Sequence, residues 1–470
     1  MARLTGATAI VRRTIMPRPL ENPAMRRSQN RPGAMQFVVF GAGDFACNLY
    51  WQSVSLYLLF FYTDVLGVSV ALGGALYMIG ALWDGIADLL VGIAAQRPGV
   101  RYRRFIAWGA VPLGIAFVLL YSTPDLTGVW LAGVIGATQI LFRTLYALVN
   151  VPYAAWTARI SPDSRDRTML AGVRMLFGTI AALVVTMGTP WIALRVTGDA
   201  TSQAGFASAA IVYGVVGAGL LLALAFGARE ALPAATSRAQ APLLTCLRLL
   251  LANRAFVTLN LAAMVAGLAA AVLTQSVLYY FKHVAGQPAQ GPQTLALMAV
   301  AGAVAVPVWL LVTRWIGLRG VWFAAVGWGL LCLTLFGFAP RGTATIAVLA
   351  LLQAAFTGFN LVFWSMLPNT VEYGEDRTGA RVEALAFGVA ALWQKIGLAA
   401  AAGGLGLFYR HIGYVAGATQ SAATAAGIRD LMLYACSAGL VASALVMLGN
   451  PLKRGVHAAL VEDLARRADV

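Results

Sequence analysis

Long apolar runs separated by short polar loops set the pattern of this chain. The runs fall at about 36–62, 70–94, 104–122, 128–157, 169–196 and 204–226. After a polar stretch they resume at about 255–281, 293–315, 319–338, 344–370, 382–409 and 428–449. Roughly 20 apolar residues suffice to cross a bilayer as a helix, so the pattern predicts an all-α membrane protein with twelve transmembrane helices. The hydrophilic break at about 227–250 divides them into two six-helix halves. The expected organisation is a basic arm over 1–35, a bundle over 36–226, a central loop over 227–254, a second bundle over 255–449 and a tail over 450–470. Loops near Arg97–Arg104, Arg159–Arg167, Arg229–Arg254 and Lys453–Arg454 are basic, whereas those near Asp64, Asp125 and Asp199 are poor in base. Cytoplasmic loops carry the excess of Lys and Arg, which places the central loop and both termini in the cytoplasm.

The two halves echo one another. Asp166-Arg167-Thr168 follows the fourth run and Asp376-Arg377-Thr378 the tenth; Arg97 to Arg101 after the second run is matched by Arg314 to Arg319 after the eighth. Parallel six-helix repeats build the major facilitator fold, whose substrate site lies at the midplane between the halves.

Composition narrows the function. Of 470 residues 60% are hydrophobic and only 11% charged, more apolar surface than a soluble domain of this length can bury. The net charge of +16 would suggest nucleic acid in a soluble protein. Here the basic residues sit in loops and termini, where they set topology and meet anionic lipid, so no nucleic-acid partner is expected. Cys47, Cys246, Cys332 and Cys436 have neither metal nor redox spacing. No nucleophile elbow, HExxH or P-loop motif occurs, so neither an enzyme nor an ATP-driven pump is expected. The Arg-rich start lacks the apolar core of a secretory signal. It suits a transit peptide, a cytoplasmic arm, or an over-extended start with Met25 or Met35 as the first residue. The tail from Arg454 has Val456, Leu460, Val461 and Leu464 on one face, as in a helix lying on a membrane or in an ordinary frayed end.

Charged residues inside the apolar runs carry the chemistry. Asp84 and Asp88, in Gly80-Ala-Leu-Trp-Asp84-Gly-Ile-Ala-Asp88, are four apart and share a helical face. Each ionised carboxylate at a bilayer centre costs about 2.5–3.5 kcal/mol. A pair there suits proton release or cation capture, or else serves to hold helices together. Asp44, Asn48 and Trp51 share a face of the first run. The acid and amide can bond hydroxyls while the indole covers the C–H face of a sugar; alternatively Trp51 anchors at the interface and Asp44 pairs with a base. Arg174 and Lys395 are cations able to neutralise these acids and exchange partners. Arg143 could do the same, but a static salt bridge or a side chain snorkelling to the interface suits it better. Asn150 lies just before Pro152, which bends the helix, and Asn360, Trp364 and Pro368 repeat that arrangement in the second half.

Taken together, Gly43-Asp44-Phe45, Phe60-Phe-Tyr-Thr-Asp64-Val-Leu-Gly, Trp83-Asp84 through Asp88, Leu148-Val-Asn-Val-Pro-Tyr153, Arg174-Met175, Val371-Glu-Tyr-Gly-Glu375 with Arg377-Thr-Gly, and Gln394-Lys395 resemble the glycoside–pentoside–hexuronide:cation symporters, the melibiose-permease branch of the major facilitator superfamily. The resemblance runs from about Phe40 to about Ala402. It implies cation binding at Asp84 and Asp88, sugar contact at Asp44 and Arg174, and a coupling role for Lys395. The position of Asn150 is an aspartate in melibiose permease that serves sugar and cation; its amide here favours H+ over Na+. Asp88 is followed by Leu89 where the family often has Pro, and the permease's site aromatic maps to Ala154, with Trp156 two residues on.

The expectation is therefore cation-coupled symport of a sugar or glycoside by alternating access. The substrate would be held by Asp44, Asn48, Trp51, Asn150, Arg174, Asn360 and Lys395, and coupling would run through Asp84, Asp88 and Lys395. No cofactor is expected beyond H+ or Na+, and Asp84 and Asp88 would be metal ligands only for Na+. The setting would be a monomer in a bacterial inner membrane. A lysophospholipid or other amphiphile carrier on the same fold is the alternative, and a membrane receptor or accessory protein that transports nothing is the alternative from another class.

Overall fold

A computed structural model describes residues 34–95, 101–124, 126–160, 164–228, 243–339, 342–378 and 383–453. The basic arm up to residue 33, residues 97–100 of the first arginine loop, residues 229–242 and the tail from residue 454 lie outside them. Every element among the described residues is helical. The first half comprises α1 (Ala34–Phe60, ending in a π-turn at Phe61–Val65), α2 (Val70–Ala95), α3 (Tyr102–Tyr121), α4 (Gly128–Ile160), α5 (Ser164–Thr197) and α6 (Gln203–Gly227). A short α7 (Leu243–Ala252) precedes α8 (Arg254–Tyr279, with a π-turn at Tyr280–Val284), α9 (Gln290–Phe338), α10 (Thr343–Thr378) and α11 (Glu383–His411). The last span is α12 (Ala422–Asp430), a π-turn at Leu431–Ala435 and α13 (Cys436–Leu448) in one rod.

Ten of these helical stretches are long and apolar enough to cross a membrane. α9 is two spans joined at Gly317, whose φ of 73° and ψ of 170° no helix accommodates. α1, which carries Asp44, Asn48 and Gln52 along its length, completes the expected twelve. Boundaries differ where polar residues continue a helix past its apolar core, as in α4, α5 and α10. The last span begins at Ala422 rather than at about 428 because the Ser421 hydroxyl caps it, accepting the Thr424 N–H at 3.1 Å. The stretch expected as central loop contains α7, since Leu247 and Leu250 fall on one face and Leu250 is buried against the second bundle.

Within the first half α1 packs on α5 and α6, α3 on α4 and α6, and α2 on α4. Within the second α8 packs on α10, α11 and α13, and α9 on α10. Between halves α2 runs along α11, α5 along α9, and α1 meets α8. Large apolar side chains such as Trp108, Val129, Phe226 and Phe338 face outward, as hydrocarbon surroundings require.

The α2–α11 crossing is closest at its Asp64 end. A Cβ on Gly74 would lie 2.8 Å from the Ala402 carbonyl oxygen, and one on Gly406 would lie 2.7 Å from that of Val70. Backbone meets backbone there, so no rotamer change relieves a larger residue. Gly406→Val should separate the halves at this end, at a cost of about 1–3 kcal/mol. Cross-linking of cysteine pairs across α2 and α11 checks it: the yield should fall in the variant, and an unchanged yield would count against so tight a crossing.

Candidate functional site

Asp84 sits mid-helix on α2 with its side chain 1% exposed, in an almost completely dry setting. Lys395 reaches it from α11 at 2.6 Å and also holds Asp88, one helical turn on. Arg143 of α4 approaches Asp84 Oδ2 at 3.6 Å from the other side. It is held in place by its Nε donating to Gln139 Oε1 at 3.2 Å and by the Tyr77 ring 5.2 Å away. Gly80 makes room for this pair, since a Cβ there would lie 2.1 Å from Gln139 Oε1. Two acids are thus balanced by two bases, one from each half of the molecule. Hydrogen bonding is nevertheless incomplete. Neither Asp84 oxygen, nor Asp88 Oδ1, accepts a bond of ordinary geometry, so the cluster has capacity for a proton or a small cation.

A second cluster lies on α1. Arg174 Nε of α5 donates to Asp44 Oδ1 at 2.8 Å, and its guanidinium lies 4.9 Å from the Tyr153 ring centroid. Asn48 Nδ2 donates to Asp44 Oδ2 at 3.0 Å and to the Asp44 carbonyl at 2.9 Å. Tyr153 Oη donates to the Phe40 carbonyl at 2.8 Å, which fixes its ring.

A cavity of about 490 Å³ opens between the halves, a size common for small-molecule sites. Trp51 walls it on the α1 side, its indole stacked on Tyr146 with centroids 5.8 Å apart and planes 24° apart. Ala263, Ala266, Gly267 and Ala270 of α8 leave it its width, and Gln353, Thr357, Asn360, Gln394 and Lys395 supply its polar atoms. Of the expected substrate residues, Trp51, Asn360 and Lys395 lie on this wall. Asp44, Asn48 and Arg174 form the separate cluster on α1 and α5. Asn150 is half-buried on α4, one turn beyond Tyr146 and outside the lining.

Three features were not drawn from the sequence. Arg143, expected to form a static salt bridge or to snorkel, forms a pair, and its partner is Asp84. Gln353 and Thr357 precede Asn360 at helical spacing, a signal that was present but unread. The third is a knot at the far end of the spans around Asp64, whose side chain is fully buried. Lys282 Nζ lies 2.6 Å and His283 Nε2 3.1 Å from Asp64 Oδ1. Tyr414 Oη donates to Oδ2 at 2.7 Å and Thr63 Oγ1 at 2.9 Å. Asp64 and Thr63 belong to the first half; Lys282, His283 and Tyr414 to the second. Burial pushes the Asp64 carboxyl up, but His283, Lys282 and Tyr414 outweigh it and hold the group below the usual aspartate value.

An acid pair in one six-helix half, bridged by Lys395 of the other beside a polar cavity, suits a coupled carrier. The family described as "MFS/sugar transport protein" matches residues 39–454. The chain belongs to it. It is a member of the glycoside–pentoside–hexuronide:cation symporter group, a multi-pass membrane transporter that couples a cation to a small-molecule substrate. It is 29% identical to the putative glycoside/cation symporter YagG of Escherichia coli, over 80% of this chain and 83% of that one. It is 27% identical to the isoprimeverose transporter of Lactiplantibacillus pentosus, over 92% and 91%. Among solved structures it is similar to a D-xylose–proton symporter, with TM-score 0.67 and 16% identity over 87% of this chain and 96% of that one, which bears on the fold.

Two outcomes follow from the ion pairs. Lys395→Met leaves a buried carboxylate without its base and should lower stability by about 3–5 kcal/mol. Asp88→Asn added to it leaves Asp84 balanced by Arg143 and should recover most of the loss. Thermal unfolding in detergent compares them, and a double variant no more stable than the single one would refute the pairing. The Asp64 knot, whose carboxyl pKa is depressed, contributes its full strength above the ordinary aspartate pKa of about 4 and loses it as pH falls through the lower native value. Spin labels at Ser69 and Ala418 should therefore move apart in Asp64→Asn at neutral pH, and in the otherwise unsubstituted protein only below about pH 4.

Proposed function

We propose that this protein imports a sugar or glycoside with protons, by alternating access of its two halves, residues 36–226 and 255–449. One observation carries the reading: Lys395 belongs at once to the cavity wall and to the Asp84/Asp88 pair. Occupancy of the cavity and occupancy of the acids therefore act on the same side chain.

A proton on Asp88 removes one of the two charges holding Lys395. The ammonium then turns to the remaining acid and to the cavity, where it can donate to a ligand hydroxyl. Protonation and ligand binding favour each other, and a coupling of about 1–3 kcal/mol is typical of such linked sites. Asp44, Asn48 and Arg174 extend the polar surface on the first half, and Trp51 offers an aromatic face to sugar C–H groups. Asn150 serves as a further amide once the halves rock. H+ is favoured over Na+ because a hard cation gathers several oxygen ligands. Here the two carboxylates are already neutralised by bases, Asp84 by Lys395 and Arg143 and Asp88 by Lys395.

We place the protein in a bacterial inner membrane with both termini cytoplasmic, as one working chain, which puts the Asp64 knot and the Gly74–Gly406 crossing at the outer end. On that placement the outer end is closed by the knot and the crossing, as alternating access requires of one of its two end states. Removing the knot frees that end to open.

Uptake of labelled glycosides into oriented vesicles tests the proposal, with a pH gradient and a Na+ gradient imposed separately. Accumulation should follow the pH gradient and fall by about 5- to 150-fold in Asp84→Asn and Asp88→Asn, the range of such a coupling. Accumulation under Na+ alone would replace the ion. Correctly inserted protein that carries no sugar under either gradient would refute the sugar reading and bring an amphiphile forward.

A further inference from the structure

We infer that the ligand is an uncharged glycoside, and that Gln353, Thr357, Asn360 and Gln394 form a neutral subsite in the second half that reads its hydroxyl pattern. The inference rests on the sugar reading above and narrows it, because the family name spans both neutral glycosides and anionic hexuronides.

Gln353, Thr357 and Asn360 are spaced four and three apart, so α10 presents them on one face, and all three line the cavity. Gln394 joins them from α11. Among the described residues, nothing donates to or accepts from the side chains of Gln353, Asn360 and Gln394. Thr357 Oγ1 spends its proton on the Gln353 carbonyl at 3.1 Å, which leaves its oxygen free to accept. Three amides, each with donors and acceptors, and one acceptor oxygen therefore face the space with their valences open. Sugar hydroxyls, which both donate and accept, match such a set. A carboxylate, which only accepts, matches half of it.

The charges point the same way. The bases deep in the spans are already matched with acids: Arg174 with Asp44, Arg143 with Asp84, and Lys395 with Asp84 and Asp88. Before the coupling cation arrives, an anionic ligand would have to take one of these bases from an acid, at the cost of leaving that acid uncompensated. The opposite wall is Trp51 with the small residues of α8, apolar surface suited to the C–H face of a sugar ring. Binding of the coupling cation adds one positive charge that an uncharged ligand does not cancel. The loaded carrier therefore moves net charge, and uptake is electrogenic.

Proteoliposomes containing the full chain test this with two probes, a labelled neutral xylosyl-glucose disaccharide and labelled glucuronate, with and without an interior-negative potassium diffusion potential. The disaccharide should accumulate. Its equilibrium accumulation should rise with the potential, by up to about 50-fold per 100 mV for one net charge. Gln353→Leu and Asn360→Leu, close in size to the native residues, should each raise the KM for the disaccharide by about 5- to 10-fold, the loss of one net hydrogen bond. Carbodiimide labelling of Asp88 should stay unchanged in both variants, which separates a lost subsite from a misfolded protein. An unchanged KM in both variants overturns the subsite. Glucuronate carried in preference, with uptake indifferent to potential, overturns the neutral-ligand inference and leaves sugar symport standing. Neither probe carried, with normal carbodiimide labelling, overturns the sugar reading and this inference with it.

Discussion

The cost of placing carboxylates inside a membrane governs this molecule. Asp84 and Asp88 could not remain charged on α2 unless bases were delivered to them, and the second base comes from the other half of the chain. Lys395 therefore ties the halves together at mid-depth for electrostatic reasons. Anything that changes the charge of the acid pair changes the tie. On the proposed reading that is the physical content of coupling: the coupling cation does not push on a distant lever but cancels one of the charges by which one half holds the other.

The rest of the architecture supports that tie without duplicating it. At the Asp64 end the halves touch through backbone at Gly74 and Gly406, and through the Asp64 knot. Backbone contact is short-ranged and needs close registry, so it is lost after a small movement. A buried ion pair loses its partner in the same movement and regains water. Both are contacts that a rocking motion makes or breaks as a unit, which suits a carrier with two end states. The break at Gly317 and the π-turns that end α1 and α8 fall at the ends of spans, where a helix can redirect the chain without exposing backbone to hydrocarbon.

Much of this was legible in the sequence because the membrane imposes simple rules. Apolar run length located the spans, and the rarity of charge inside them singled out Asp44, Asp84, Asp88, Arg174 and Lys395. Pairings were less legible. Arg143 and Lys395 look alike as lone cations in apolar runs, and only the packing of α4 and α11 against α2 shows that both serve Asp84. Asp64 and Lys282 read as loop charges, since their burial depends on α1, α8 and the Tyr414 segment meeting at one end. Leu247 and Leu250 were concealed by the arginines around them. Gln353 and Thr357 carry no charge, so they did not stand out against the apolar background, although their spacing with Asn360 was on display.

The placement of charge has a consequence for how such a protein can change. The mid-depth acid–base clusters lie on α1, α2, α4 and α5, with Lys395 their one member from the second half. The unpartnered amides of the cavity lie on α10 and α11. Residues 353, 357 and 360 belong to a different helix from any member of the acid–base cluster, so substitution there alters what the cavity reads without altering how the acids are balanced. The reverse does not hold, because Lys395 is shared. On the proposed reading, ligand preference can therefore drift along α10 while the acid–base cluster stays fixed, and sites grafted onto a common scaffold diversify in this manner. The constraint falls on one side chain: Lys395 must stay within reach of two carboxylates and still face the ligand.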